Sequence, residues 1–572
     1  MRDTSEVTEV TRANSATAPG RMPRAARLAS AALLIAVLTV AARLAGFART
    51  LVFVHAVGDR DLGDIYQSAN TVPNIIFEIV AGGALASLVV PMLAGAIARG
   101  DRAAVSATAS ALLTWVLTLL VPAAAIVALA AGPIVRTLDP GADARAAAVG
   151  ADMLRVFAPQ LPLYGVGIVL TGVLQAHRRF AWPVLAPLLS SVTVMGAYAC
   201  FAVVAGRRPD VAHVSGSDIA VLSVGTTFGV AVLSLCLLIP LRGLRLRLRP
   251  TYSFEQSAAT TVRRLAAAGA VTVAAQQLAV ALTIVLANGG VAGTLVQFTV
   301  AQTVYLLPWA VLALPIATSA YPALAEAAAG ENRAAYAAIL AGATRGLVLL
   351  ACLGAAALAA AAQPLAWALA STTASPARVA AGIACLAPGL LGYALFALLS
   401  RALYARGDTR HAAAATVLGW AGVALAALLL SRALPGTARV AALALANSAG
   451  MLLLGALLLA GVARRAGRAA IDGLARTLGA SVIAGFVAAA AGVGVRRLVW
   501  GDATPGVAGA VGQGMLSGAV VAAAFLGVAY VLDPRDVRPL LAGLVRRVAR
   551  FRSQAPDSAS PANGRRQGGL EQ

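Results

Sequence analysis

Between Arg43 and Pro91, two apolar runs flank a short polar loop, and two arginines, two acids and two asparagines lie in or next to those runs. Arg43 and Arg49 lie in or at the end of one apolar run, ARLAGFART. Asp64, Asn70, Asn74 and Glu78 lie in or near the next, GDIYQSANTVPNIIFEIVAGGALASLVVP. A charge inside a membrane helix costs ~2.5–3.5 kcal/mol on insertion scales. Four charges within two spans need a shared polar cavity or a snorkelling route to water. Pro73 and the Gly82–Gly83 pair free backbone groups, which a span tolerates where it faces protein or a water-filled cavity. The stretch is therefore expected to form one wall of a cavity for an anionic or polar ligand.

The candidate substrate-binding residues are Arg43, Arg49, Asp64, Glu78, Asn70 and Asn74. Each has a plainer reading. Arg49 could snorkel from a helix end. Asp64 could cap the helix it precedes. The asparagines could repair a helix broken at Pro73. Glu78, inside a span, needs a partner, and Arg43 or Arg49 is the expected counter-ion. Gln276, Gln297 and Gln302 place amides in the expected second lobe, where interhelical hydrogen bonds explain them as well as transport does.

The elements that must position these residues are membrane helices. The 572 residues are 60% hydrophobic and 12% charged, with a mean hydropathy of +0.82. Apolar runs of ~20 residues, long enough to span ~30 Å of hydrocarbon, recur throughout. The class is all-α, a polytopic membrane protein of about fourteen transmembrane helices. Two six-helix lobes, 27–240 and 262–463, are expected to surround a central cavity. Residues 474–532 add two spans. Residues 1–26 are expected to be a disordered cytoplasmic tail, and 540–572 a basic amphipathic segment followed by a disordered tail. The first apolar run lacks a small-residue cleavage exit, so it is expected to be a span and not a signal peptide.

Every basic residue except histidine is arginine; there is no lysine. That excludes a Walker A lysine and a Schiff-base lysine, and so an ATP-driven pump within this chain. With the N-terminus placed inside, the tails and same-side loops hold thirty arginines and the opposite side ten. The positive-inside rule then puts both termini in the cytoplasm. The four cysteines have no metal-ligand spacing and are expected to be buried small hydrophobes. No metal, cofactor or nucleic-acid partner is expected, nor an enzyme: there is no nucleophile–base pair. A coupling ion, H+ or Na+, is left open, with no site assigned.

An internal repeat is visible. PMLAGAIARGDR (91–102) aligns with PALAEAAAGENR (322–333), and LTGVLQAHRRF (170–180) with LSRALYARGDT (399–409). The offsets, 231 and 229 residues, nearly agree. An offset of six spans preserves topology, so the lobes are expected to be parallel repeats.

That layout, with ARLAGFART, GDIYQSANTVPN, ALASLVVP and SRALYARGDTR, resembles the lipid II flippase family (MurJ/MviN) of the multidrug/oligosaccharidyl-lipid/polysaccharide exporter superfamily, in an actinobacterial-type variant. The resemblance covers roughly residues 27–540. It implies export of the undecaprenyl-pyrophosphate-linked peptidoglycan precursor by alternating access. Its implied partners are that anionic lipid-linked precursor, membrane lipids and cell-wall synthesis proteins. It also implies that Arg43, Arg49 and Asp64 line the cavity and are needed for activity. The chain departs from well-studied branches. Phe77 and Glu78 stand where those carry an arginine pair, and Gln302, Thr303 and Leu306 where those carry an Asp-Arg pair and a Glu. Two other readings are a drug/cation antiporter of the same superfamily, using Asp64 and Glu78, and a non-transporting cell-wall scaffold.

Overall fold

The computed structural model describes residues 24–79, 83–253, 256–369, 375–501 and 506–538. Gly82, nearly all of the N-terminal tail and the segment expected at 540–572 lie outside them. The described residues form helices joined by turns. The chain divides into two compact units between Val296 and Gln297.

The first unit holds α1 (Arg24–Ala56), α2 (Asp61–Phe77), α3 (Gly83–Ala98), α4 (Arg102–Leu129), α5 (Ala131–Leu138), α6 (Ala144–Phe157), α7 (Gln160–Ala176), α8 (Ala181–Val204), α9 (Gly216–Leu235), α10 (Leu238–Arg242) and α11 (Gln256–Asn288). The boundary falls within α12 (Thr294–Pro308). The second unit continues with α13 (Leu314–Ala329), α14 (Arg333–Ala368), α15 (Pro376–Leu386), α16 (Gly389–Ala405), α17 (Thr409–Ala433), α18 (Arg439–Ala466), α19 (Leu474–Trp500) and α20 (Val507–Leu532).

Length and hydropathy pick out twelve membrane-crossing helices among the described residues, or thirteen if the pair α15–α16, bent by 46°, counts as one span. The expected fourteen are not all reproduced. The segment read as span 2 carries α2 and α3 on either side of residues 80–82, which lie outside the described residues, and it is not among the twelve.

The repeat recurs in the local geometry of both units. Asp101 caps α4 by accepting from the Ala104 amide at 2.9 Å, and Asn332 caps α14 from Ala335 at 3.0 Å. The residue before each cap is left-handed, Gly100 at φ 71° and Glu331 at φ 52°. A left-handed residue likewise ends α7 (Arg178, φ 59°) and α16 (Gly407, φ 74°). Ala158-Pro159 breaks α6 from α7, and Ala387-Pro388 breaks α15 from α16. Proline cannot donate to the preceding turn, so the chain bends there. Both units also carry a π-helical turn in register, at 78–79 and at 309–313. The helix pairings match too: α3 packs on α4 and α7 as α13 packs on α14 and α16, and α9 on α8 as α18 on α17.

In the second unit the core runs along α14, which touches α13, α15, α16, α19 and α20. Leu340, Leu347 and Val348 of α14 pack with Leu398, Leu399, Leu454, Leu458 and Phe525. α19 and α20, the pair beyond the repeat, thus dock on the long helix that the repeat supplies. Arg345 secures the far end: it pairs with Asp536 at 2.9 Å and donates to the Asp472 carbonyl at 2.7 Å. Of the cysteines, Cys352 is buried, Cys236 and Cys385 are half-buried, and Cys200 is exposed on α8. The last corrects the expectation of burial: a small apolar side chain suits the outside of a membrane helix as well as a core.

Candidate functional site

The residues singled out in the first unit sit around a core of hydroxyls and amides. Tyr66 of α2 is 1% exposed, although it carries a polar tip. Its hydroxyl lies 2.8 Å from that of Tyr198 on α8 and 2.9 Å from Thr226 Oγ1 on α9. Phe53 of α1 packs on the Tyr66 ring at 4.8 Å between centroids, and Phe157 meets it edge-on. One turn further along α2, Asn70 Oδ1 accepts from Gln160 Nε2 at 3.4 Å. Gln160 also donates to Thr227 Oγ1 at 3.2 Å, and Thr227 donates to the Val156 carbonyl at 2.9 Å. That last bond engages the helix just before its Ala158-Pro159 break, where intrahelical partners run out.

Arg49 lies on α1 one turn before Phe53, whose ring packs on Tyr66 in this core. Both Arg43 and Arg49 are exposed on α1. Six residues apart, they project about 120° from each other around the helix. An anion meeting both must therefore approach the edge of α1 between them. Glu78 is half-buried at the π turn, and Asn74 is exposed one turn earlier. Among the described residues no ion pair joins Glu78 to either arginine, so the expected counter-ion is not found there.

Asp64 is buried and occupied. Its Oδ2 accepts from the Gly293 amide at 2.7 Å and its Oδ1 from the Val296 amide at 3.0 Å. Those are orphan donors at the start of α12, so Asp64 caps a helix more than two hundred residues away in sequence. Asn288 reinforces the turn by donating to Ser68 Oγ at 3.0 Å and to the Leu138 carbonyl at 2.9 Å.

Gln276 is half-buried on α11, which packs on α2, α3 and α5 of the first unit. Gln297 is fully buried and Gln302 half-buried, both on α12 in the second unit. Three further arginines on helices have local partners. Arg155 pairs with Asp152 at 2.5 Å on the surface, a contact worth about 0–1 kcal/mol. Arg345 holds Asp536, and Arg401 donates to the Ala397 carbonyl of its own helix. The reading from sequence missed Tyr66, Gln160, Tyr164, Tyr198 and the Thr226–Thr227 pair. Gln160 had a signal: an amide directly after an Ala-Pro break in an apolar run.

The family model for lipid II flippase MurJ matches residues 53–507. The chain belongs to the lipid II flippase MurJ family. A probable lipid II flippase MurJ from Synechocystis sp. is 27% identical over 170 residues, which is 29% of this chain and 31% of that relative. The alignment thus spans about a third of the curated relative. The solved structure of lipid II flippase MurJ in an inward closed conformation is similar at TM-score 0.68 and 16% identity, covering 87% of this chain and 99% of that one. An inward-facing multidrug resistance MATE transporter is similar at TM-score 0.61 and 14% identity, covering 77% and 99%. At these identities the two structures speak for the fold, which the family shares with its MATE neighbours.

Proposed function

We propose that this chain is a lipid II flippase: it carries the undecaprenyl-pyrophosphate-linked peptidoglycan precursor from the inner to the outer leaflet by alternating access. The observation that carries this reading is the family match across residues 53–507. The exposed arginines of α1 supply its chemistry. Guanidinium forks bind phosphate bidentately and stay charged at physiological pH. In this reading Arg43 and Arg49 hold the pyrophosphate, and Asn70, Asn74 and Glu78 shape the polar wall beside them. Asp64 sets the wall by fixing the loop before α12. Gln276, on α11 of the same unit, adds an amide for the headgroup. Outward movement of negative charge is favoured by an inside-negative potential, by ~2.3 kcal/mol per charge per 100 mV. The chain acts as a transporter and not as a catalyst of bond chemistry; a coupling ion and cell-wall synthesis partners are compatible with it.

The test is depletion in the host. Loss of the protein should strand lipid-linked peptidoglycan precursor on the cytoplasmic side, and re-expression should restore its appearance outside. Unchanged export on depletion would sink the proposal. The MATE-like fold, and a Glu78 that makes no ion pair among the described residues, support the antiporter as the second reading.

Direction needs an orientation. Both termini are proposed to be cytoplasmic, on the thirty-to-ten arginine asymmetry. A membrane-impermeant thiol reagent applied outside should label a cysteine placed at Arg207 and spare one placed at Asp101. The reverse pattern would invert the topology.

A further inference from the structure

The second unit contains a pocket of about 380 Å³ between the end of α14, the start of α15 and the end of α19. Its walls are largely alanine, including Ala380 and Ala384, with Trp367 and Gln363 from α14. Among the described residues, Arg496 and Arg497 of α19 are the charges that line it. Arg496 is only 7% exposed, and its Nε is buried without a hydrogen-bond partner among the described residues. Local packing draws it in. Gly492 sits one turn earlier on the same face, where an added Cβ would lie 2.9 Å from that of Ala360. The close approach of α19 to α14 leaves the arginine no exit along that face.

Among the described residues, nothing nearby gives this arginine an acid. Arg378 Nη1 and Arg439 Nε, at the starts of α15 and α18, are likewise buried without partners there. Those helix starts and the ends of α14, α17 and α19 share one end of the unit. The described acids of the unit, Glu326, Glu331, Asp408, Asp472, Asp533 and Asp536, all lie at the opposite helix ends. An arginine this enclosed, with no counter-charge among the described residues, carries a desolvation cost of several kcal/mol, so an apolar side chain of similar volume would serve packing better. The arrangement makes sense with an anion in place.

We propose that this pocket binds an anionic phospholipid, its phosphate on Arg496 and Arg497 and the start of an acyl chain along the alanine wall. Phosphate matches the guanidinium fork. An apolar wall beside a cationic head, at the end of membrane-spanning helices, fits a lipid better than a free anion, which would have no use for the alanines. The ligand would pin the added pair α19–α20 to the α14–α15 corner. This assignment does not depend on the transport reading.

The full-length protein in detergent is titrated with phosphatidylglycerol carrying brominated acyl chains, and with the matching phosphatidylcholine. Quenching of Trp367, taken as the difference between wild type and Trp367→Phe, reports occupancy. Phosphatidylglycerol should quench at a concentration about tenfold lower than phosphatidylcholine. Arg496→Gln should raise the half-quenching concentration about tenfold, the scale of one charge-assisted hydrogen bond. Arg497→Gln, at the pocket rim, should raise it less. Equal quenching by the two lipids, or no shift in either variant, would overturn the proposal. Inorganic phosphate is added as competitor and should not displace the lipid at millimolar concentration. Displacement in the micromolar range would assign the pocket to a free anion and overturn the lipid reading.

Discussion

Arg43→Ala and Arg49→Ala should each abolish precursor export while leaving normal amounts of protein in the membrane. The two halves of this expectation have different physical causes. Removing an exposed guanidinium from α1 takes away an insertion cost of ~2.5–3.5 kcal/mol and leaves no acid orphaned, since no ion pair engages either residue among those described. The fold should therefore tolerate both changes. The precursor, by contrast, loses a charge-assisted contact worth ~1.5–3 kcal/mol, or roughly 10- to 100-fold in transport. That loss is large enough to fail complementation of a flippase-depleted strain. Lysine at either position keeps the charge and loses the fork, so partial export is expected. Glu78→Gln separates the two readings of the cavity. For a flippase it should weaken export little, because Glu78 has no ion-pair partner to release among the described residues. For a cation antiporter it should be the dead variant, with the α1 arginines dispensable. Export should be compared at matched membrane levels, and full activity of both arginine variants would refute the assignment of the anion site to α1.

Much of the fold was legible because membrane helices announce themselves locally. A run of ~20 apolar residues needs no partner to be recognised. The repeat was legible for a similar reason: Asp101 and Asn332 cap the same helix in two copies, and capping chemistry is written in one residue. Contacts set by distant partners could not be read. The hydroxyls of Ser106, Ser110 and Thr114 follow the helical period on α4, as a polar stripe on any span could. In the structure they accept from the amides of Arg247, Arg249 and Thr251, at 3.3, 3.0 and 3.1 Å, and hold an extended segment against the helix. Tyr66 and Tyr198 show the same limit. Nothing in either local sequence says that two phenols 132 residues apart share a hydrogen bond.

Asp64→Ala should behave differently from the arginine variants, and the difference tests what kind of residue Asp64 is. The resemblance to the flippases implied a cavity residue, whereas the geometry gives it a structural task. Both carboxyl oxygens are engaged by the Gly293 and Val296 amides. Alanine leaves those two N–H groups buried without acceptors, at ~1–3 kcal/mol each. Allowing for partial relaxation of the loop, the expected cost is roughly 2–4 kcal/mol, more than loss of an ordinary exposed N-cap. The thermal midpoint of the purified protein should fall, and export should fall with it. The Asp64→Asn variant retains one acceptor oxygen and presents an amide N–H to the other donor, so it should lie between wild type and alanine in stability. Export should track stability across the three proteins if Asp64 acts by holding the start of α12. If Asp64→Asn instead keeps the wild-type midpoint and loses export completely, Asp64 meets the substrate or its coupling ion directly, and the capping role is secondary.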